Sequence, residues 1–266
     1  MADTTPDTTP DTSPDTSDTP ELVHLEVADG LATLTLDSPR NRNALSRQLV
    51  TELLDGLARA EADDAVRVVV VAATGNVFCS GADLAEAAGQ GMEEGARTIV
   101  AIQRAIVAHA KPVVVRVQGP VRAGGIGIVA AADVALCTEE ATFALTEVRL
   151  ALAPAAISLT VLPRMTSRAG AWACLSGATF DGRDAAAWGL VTRAVPADGL
   201  DAAVAETCAA LVAGAPQGLR ETKQLLARDL VDRIDARGDD LARLSTRLFG
   251  SDEAKEAMTA FLERRR

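Results

Sequence analysis

A continuous valine-rich run from Val66 to Ala73 constrains the fold of this chain more than any other feature. A strand with one solvated face alternates apolar and polar residues, whereas this run predicts a strand buried on both faces. A helical pattern over roughly 93–109 follows, Lys111-Pro112 breaks it, and residues 113–117 and 133–137 read as two further buried strands. Strands separated by helices in this order favour right-handed crossovers and a parallel sheet. The sequence therefore predicts an α/β fold.

The segment before this run predicts a hairpin and a helix. Apolar residues alternate on both sides of Asp29-Gly30, which is typical of two strands joined by a turn over residues 23–36. Ser46 is expected to cap a helix that runs to about Ala62. From about residue 155 onward the chain reads as mostly helical.

Three regions are predicted along the 266 residues. Residues 1–20 contain five Asp and no basic residue, and a segment with so little apolar material is expected to be a disordered acidic tail. Residues 21–200 are expected to form the α/β core, and residues 201–266 a helical C-terminal region.

Composition excludes several classes of function. The formal net charge of -11 disfavours nucleic acid and anionic membrane surfaces as partners, and the basic Arg264-Arg265-Arg266 cluster reads as a solvated helix end. Four cysteines without C-x-x-C spacing and two histidines make neither a metal site nor a Ser-His-Asp triad, so no metal is expected. No apolar run reaches the roughly 18 residues that span a bilayer, and the acidic N-terminus does not resemble a signal peptide. We expect a soluble, cytoplasmic protein.

Two loops of small residues leave buried strands and enter helices. They are Ser80-Gly81-Ala82-Asp83 and the segment from Ala123 to Gly127. Small residues allow a ligand to approach the main chain, and the first N–H groups of a helix have no partner within it. Two such groups converging on one point would form an oxyanion hole. Neither loop is specific when taken alone, since Gly-Gly before an apolar helix more often reflects close packing than an anion site. The phosphate-loop and dinucleotide-binding patterns both fail.

Glu147 stands inside the largely apolar run 143–150, just after a predicted strand. On spacing alone, a surface glutamate paired with Arg149 explains it as well as a buried acid does. If the carboxylate faces inward, desolvation would raise its pKa and suit it to proton transfer.

Together these segments resemble one family, the crotonase or enoyl-CoA hydratase/isomerase superfamily, over roughly residues 21–266. Many short motifs, in the family's order and spacing, carry the resemblance. They are Arg42-Asn43-Ala44-Leu45, Phe78-x-Ser80-Gly81-Ala82-Asp83-Leu84, Lys111-Pro112-Val113, residues 119–133, Glu147 with Pro154, Gly182, Ala185-Ala186-x-x-Gly189-Leu190-Val191, and Phe261-Leu262-Glu263-Arg264-Arg265.

The resemblance implies a ββα spiral core with a helical C-terminal region, assembled as a homotrimer or hexamer. It implies an acyl-CoA thioester substrate and no separate cofactor, since coenzyme A is part of the substrate. The catalytic groups that it implies are the N–H groups of Ala82 and Gly124, and Glu147 as the second of the family's two carboxylates. The CoA-binding positions that it implies are Arg42, Ala44, Asp83, Leu84, Ala85, Phe261 and Arg264, the last two on the C-terminal helix that closes the pocket.

One departure bears on the reaction. The family's first carboxylate comes three residues after the oxyanion glycine, and that position is Gly127 here. Three functions stay open: hydration of a 2-enoyl-CoA, Δ3,Δ2-enoyl-CoA isomerisation through a lone Glu147, and a binding or scaffold subunit without turnover. Residues 147–158 look like bacterial methylglutaconyl-CoA hydratases, which also tend to have glycine at this position. An acidic substrate of that kind would need a cationic partner, for which Arg122 is the candidate.

Overall fold

The structure, a computed structural model, describes residues 20–83, 86 and 92–263, and of Met92, Glu93, Phe261 and Leu262 it describes the backbone without the side chain. The predicted tail apart from Pro20 lies outside the described residues, as do Leu84, Ala85 and Arg264.

Nine strands form two sheets in the described part of the chain. The strands are β1 Val23–Ala28, β2 Leu31–Leu36, β3 Val68–Ala73, β4 Val113–Val117, β5 Val121–Arg122, β6 Val134–Thr138, β7 Thr142–Ala144, β8 Phe180–Asp181 and β9 Arg193–Val195. The larger sheet has the order β1-β2-β3-β4-β6-β9 and the smaller one the order β5-β7-β8. The larger sheet is parallel apart from the β1–β2 hairpin.

Helices pack around these sheets. Those described are α1 Arg47–Ala62, α2 Met92–Ala108, α3 Gly124–Ala131, α4 Ser158–Arg164, α5 Ser167–Ser176, α6 Gly182–Ala187, α7 Leu200–Val212, α8 Pro216–Phe249 and α9 Asp252–Glu263. Short 3₁₀ helices cover Pro39–Asn41, Glu147–Leu150 and Ala197–Gly199.

The strand β3 shows why the valine run does not alternate. Val69 and Val71 belong to the main core, whereas Val68 and Val70 pack on the opposite side of the sheet against α7. Both faces of β3 are therefore buried, as the sequence predicts.

The other predicted elements are confirmed, with small shifts. The hairpin turns at Asp29 and Gly30, both with positive φ, and the Ser46 side chain accepts a hydrogen bond from the Leu49 N–H at the start of α1. β3 starts at Val68 rather than Val66, because the Val66 N–H donates to the Asp63 oxygen in the turn after α1 and the Arg67 N–H donates to the Gly30 oxygen of the hairpin turn. The region after residue 155 is helical but also contributes β8 and β9. Such short strands lack a periodicity of their own and form only because a sheet edge accepts them.

The C-terminal region predicted over 201–266 is predominantly helical as far as the structure describes it, to residue 263. Its long helix α8 packs along α2, and the Lys223 ammonium group on α8 is buried against the ends of α2 and β4. It donates to the Ile106 oxygen at 3.1 Å and to the Lys111 oxygen at 2.9 Å, and pairs with the Asp133 carboxylate at 2.7 Å. Within the described ranges, no helix has the length and apolar character needed to cross a membrane.

Candidate active site

The register of three short strand segments places the predicted site residues at one edge. Cys79 pairs in parallel with Val121, and Val121 pairs in parallel with Phe143. Because parallel segments end at the same edge, the residues just beyond each segment lie next to one another. Those residues are Ala82, Gly124 and Glu147.

The first small-residue loop is held from one side by the segment 42–45. The Ser80 N–H donates to the Arg42 oxygen at 3.1 Å, the Leu45 N–H to the Gly81 oxygen at 2.8 Å, and the Asp83 N–H to the Leu45 oxygen at 3.4 Å. Arg42, with φ of 53°, is exposed and Ala44 is buried. The two segments that the resemblance assigns to CoA binding therefore lie in contact with each other.

The side chains of Asn43 and Asp83 fix this arrangement. Asn43 is fully buried, accepts from the Ser38 N–H at 2.7 Å and donates to the Val77 oxygen at 2.8 Å. The Asp83 carboxylate accepts a hydrogen bond from the Asn41 amide at 2.6 Å. Asp83 thus helps to hold the loop, whatever it contributes to ligand binding.

On its other side, the first loop contacts the second. Ala123, which precedes α3, has a φ of 43°, a conformation that costs a residue with a side chain about 1–3 kcal/mol. Gly81 has a φ of 93°, and a Cβ on it would lie 2.9 Å from the Ala123 Cβ. The close approach of the two loops therefore requires glycine at position 81.

The N–H groups of Ala82 and Gly124 have no hydrogen-bond partner in the described part of the chain. Gly124 begins α3, where the positive end of the helix dipole lies. Two free donors at neighbouring loop ends can polarise a carbonyl oxygen and stabilise negative charge that develops on it.

Glu147 is partly exposed as a residue, but its carboxylate faces inward rather than pairing at the surface. Its Oε2 is buried and lacks a hydrogen-bond partner among the described atoms, and Arg149 donates instead to the Ser176 oxygen. The alternative of a Glu147–Arg149 surface pair is therefore wrong. Desolvation raises the pKa of Glu147 from 4.5 to about 7, although its own backbone N–H stabilises the charged form in part. A carboxyl group with a pKa near neutrality can both accept and donate a proton at physiological pH.

Two other elements adjoin Glu147. The half-buried Cys174 on α5 has a pKa raised by burial and by the nearby Glu147 charge. The C-terminal helix α9 contacts the Glu147–Leu150 turn, as the predicted pocket-closing role of that helix requires. The Phe261 side chain and Arg264, assigned to that role, lie outside the described residues.

Gly127 is the position at which the family's first carboxylate is missing, and its surroundings leave no room for a side chain. A Cβ on Gly127 would lie 2.9 Å from the Ile157 Cγ2 and 3.4 Å from the Gln103 Cδ. Ile157 and Gln103 therefore fill the space that a residue at position 127 would need.

Arg122 is directed away from the edge that holds Glu147. Its guanidinium group donates to the Thr142 oxygen at 2.6 Å, to the Val121 oxygen at 2.8 Å and to the Thr142 hydroxyl at 3.1 Å. Thr142 begins β7, whereas Glu147 lies beyond its end. These bonds occupy three of the five guanidinium N–H groups and weigh against the prediction that Arg122 binds a carboxylate of the substrate.

Comparisons with known proteins identify the family. Residues 26–266 match the family model described as enoyl-CoA hydratase/isomerase. This chain belongs to the enoyl-CoA hydratase/isomerase family. The crystal structure of an enoyl-CoA hydratase from Mycobacterium avium is similar over 92% of this chain and 98% of that chain, with 46% identity and a TM-score of 0.87.

Relatives in the family have varied chemistry. A 4-chlorobenzoyl coenzyme A dehalogenase of Arthrobacter is 34% identical over 66% of this chain and 67% of its own length. A hydroxycinnamoyl-CoA hydratase-lyase of Pseudomonas fluorescens is 31% identical over 76% of both chains. The crotonase fold and the family predicted from the motifs are confirmed, and an acyl-CoA thioester substrate is consistent with them. Membership alone does not select one reaction.

Some residues that shape the site carry no signal in the sequence. Ala123, which precedes α3, has a positive φ, yet alanine is not a residue that patterns associate with such a conformation. Gln103 and Ile157 lie far from Gly127 along the chain and meet it only through packing. The sequence on either side of Gln103 and of Ile157 is apolar or helical, like the sequence around many core residues.

Proposed function

We propose that this protein is an enoyl-CoA hydratase-type lyase that uses one carboxylate, Glu147, as both acid and base. The observation that carries the proposal is the buried, unpartnered Oε2 of Glu147, with its pKa near 7, at the edge where Ala82 and Gly124 end in free N–H groups. Proton transfer next to a polarised carbonyl is the chemistry that these groups support together.

In this mechanism the thioester oxygen of a 2-enoyl-CoA accepts hydrogen bonds from the Ala82 and Gly124 N–H groups. Water attacks the β-carbon as the Glu147 carboxylate takes one of its protons, and the electron pair of the double bond moves onto the thioester as an enolate. The enolate is stabilised by the two N–H groups, each worth roughly 3–4 kcal/mol. Glu147 then returns the proton to the α-carbon, which gives the 3-hydroxyacyl-CoA.

Δ3,Δ2-Enoyl-CoA isomerisation is the second candidate, and the packing at Gly127 favours it. Gly127 has no side chain, and Ile157 and Gln103 fill the space beside it, so no second carboxylate acts from that position. A lone Glu147 could move a proton from the α-carbon of a 3-enoyl-CoA to its γ-carbon through the same enolate.

The coenzyme A part of the substrate is proposed to lie along Arg42, Ala44 and Asp83, with α9 covering it. We also propose a homotrimer or hexamer. Large apolar side chains that are mostly exposed on α5 and α8 support self-association: Trp172, Leu175, Leu225 and Leu226 are 59%, 76%, 70% and 79% exposed.

Turnover of two thioesters distinguishes the candidates. Loss of the ultraviolet absorbance of the conjugated enoyl group reports hydration of crotonyl-CoA, and its appearance reports isomerisation of 3-hexenoyl-CoA. We expect hydration, and a loss of ~10²–10⁴-fold in kcat for Glu147→Gln. Glu140→Gln, which changes an exposed carboxylate in the turn before β7, is the matched control and should retain activity.

Reaction of 3-hexenoyl-CoA alone would replace the hydratase assignment with the isomerase. Binding of thioesters without turnover of either would identify a scaffold subunit.

A further inference from the structure

Hydrogen bonds fix the point at which the N-terminal segment joins the fold. The Pro20 oxygen accepts from the Gln48 side-chain amide at 2.8 Å, and the Leu22 N–H donates to the Glu52 carboxylate at 2.6 Å. Gln48 and Glu52 both belong to the first half of α1. Residues 1–19 are therefore attached beside the start of this helix.

The same point lies beside the 3₁₀ turn that precedes α1. The Asp37 N–H donates to the Leu22 oxygen at 2.7 Å, and the turn follows shortly after Asp37. Arg40 lies in this turn and Arg42 caps its end. The N-terminal segment is therefore attached between the arginines of this turn and the start of α1, where Arg47 lies.

Three exposed arginines, Arg40, Arg42 and Arg47, lie around this attachment point, and we call them the basic rim. The side chains of Arg40 and Arg42 form no ion pair or hydrogen bond with the described residues. Arg47 pairs with Glu94 at 3.9 Å, and an exposed pair of that kind is worth at most about 1 kcal/mol. The positive charge of the rim is therefore available to an anion from outside the described part of the chain.

Two acidic side chains beside the rim are held by other groups. The Asp83 carboxylate accepts from the Asn41 amide at 2.6 Å, and the Glu86 carboxylate accepts from the Arg47 N–H at 2.8 Å. They lower the local potential, but neither forms an ion pair with the Arg40 or Arg42 guanidinium group. An anion that reaches the rim therefore meets two guanidinium groups that no described carboxylate contacts.

Residues 1–19 carry the complementary charge. They have no basic side chain and contain Asp3, Asp7, Asp11, Asp15 and Asp18. A coil of this length spans about 25 Å on average, and a fully extended chain about 60 Å. Because the attachment point lies between the arginines, the Asp side chains are within reach of the basic rim. Tethering also keeps their local concentration roughly millimolar, so that weak ion pairs act together.

We propose that residues 1–19 bind to the basic rim through their Asp side chains and there compete with the phosphate groups of coenzyme A. The docking itself does not depend on the proposed function, whereas the competition rests on it. Arg42 belongs both to the rim and to the segment proposed to hold coenzyme A, and both ligands are anionic. The N-terminal segment therefore raises the concentration of thioester that is needed to fill the site.

A fluorophore on the N-terminal amine tests the docking without any substrate. That amine is labelled selectively near pH 7, because its pKa of about 8 lies well below that of lysine. In about 20 mM NaCl, the fluorescence anisotropy of the full-length protein should exceed that of the five-Asn variant, in which all five Asp of residues 1–19 are replaced by Asn. About 1 M NaCl should abolish the difference, since the Debye length falls to about 3 Å. Equal anisotropy of the two proteins at low salt overturns the docking.

A substitution in the rim tests where the segment binds. Arg40→Gln should lower the anisotropy at low salt toward the value of the five-Asn variant. Arg168→Gln is the matched control and should leave the anisotropy unchanged, because Arg168 is also exposed and without an ion pair among the described residues but lies on α5. If the two arginine variants have the same anisotropy, the segment does not bind to the rim and the inference is overturned.

Calorimetric titration with butyryl-CoA tests the competition, since this saturated thioester binds without turnover. At low salt, the five-Asn variant should bind it about 3–10-fold more tightly than the unchanged protein does. In an Arg40→Gln background, the same five substitutions should change the affinity by less than about twofold, as a double-mutant cycle of interacting groups requires. An equal effect in both backgrounds would show general repulsion between the acidic segment and the phosphates, and it would remove the competition.

These measurements separate the inference from the proposed function. Lower anisotropy of the five-Asn and Arg40→Gln variants without any binding of butyryl-CoA supports the docking and removes the acyl-CoA function. Crotonyl-CoA hydration with equal anisotropy in all variants leaves the function standing and removes the inference.

Discussion

Replacing Glu147 with glutamine should make the protein more stable at high pH while it removes activity. Because Oε2 is buried without a partner, the charged form of Glu147 is held in an unfavourable environment in the folded state. Glutamine has nearly the same shape and carries no charge, so it removes the free-energy cost of the buried charge. A catalytic carboxylate kept at a cost to the folded state is the kind of residue whose loss stabilises a protein.

The size of the effect follows from the shift in pKa from 4.5 to about 7. A difference of that size corresponds to about 3 kcal/mol between the two protonation states. The folded pKa is the higher one, so between roughly pH 4.5 and pH 7 the folded protein keeps a proton that the unfolded chain has released. Stability from this group is therefore complete below pH 4.5 and is lost as the pH rises through 7. Since the glutamine amide must also be desolvated, we expect a net gain of about 1–2 kcal/mol at pH 8.

Urea unfolding at pH 5 and pH 8, at one protein concentration, measures this difference. Relative to the unchanged protein, the free energy of unfolding of Glu147→Gln should rise by about 2–3 kcal/mol from pH 5, where the folded Glu147 is protonated, to pH 8. Glu140→Gln should differ by less than about 0.5 kcal/mol at both pH values, because its side chain is exposed. If Glu147→Gln is no more stable at pH 8 than at pH 5 relative to the unchanged protein, the carboxylate is solvated or paired, and the acid/base role loses its physical basis.

Two further pairs of substitutions test the packing, one at Gly127 and one at the buried Lys223. Gly127→Ala should lower the free energy of unfolding by about 1–3 kcal/mol, because its Cβ would lie 2.9 Å from the Ile157 Cγ2. Gly95→Ala, where a Cβ would meet nothing within 4 Å, should raise it by about 0.5–1 kcal/mol through helix propensity, as denaturant unfolding of both variants would show. Lys223→Ala should cost about 3–5 kcal/mol because it leaves the Asp133 carboxylate without its buried partner, whereas Lys255→Ala breaks an exposed pair and should cost at most about 1 kcal/mol in the same assay.

For each pair of substitutions, one result would contradict the expected difference in stability. If Gly127→Ala is as stable as Gly95→Ala, the space beside Gly127 is open and Ile157 does not fill it. If Lys223→Ala and Lys255→Ala cost the same, the Lys223 ammonium is solvated and does not help to hold α8 in place.

The sequence predicts the fold correctly wherever a few consecutive residues decide the conformation. The valine run, the turn at Asp29-Gly30 and the cap at Ser46 each reflect the conformation of a few consecutive residues, and each is confirmed. Short β8 and β9 were not predicted, because a strand of two or three residues depends on the sheet edge that accepts it.

The candidate site divides in the same way. The sequence by itself determined the small-residue loops, the family and the absence of a carboxylate at Gly127. It left open whether Glu147 faces inward or pairs with Arg149, because spacing along the chain does not say which face of a turn is buried. The tertiary structure decided that question through desolvation, which depends on every element packed around a group. It also decided what replaces the missing side chain, since Ile157 and Gln103 reach Gly127 only once distant segments of the chain have packed together.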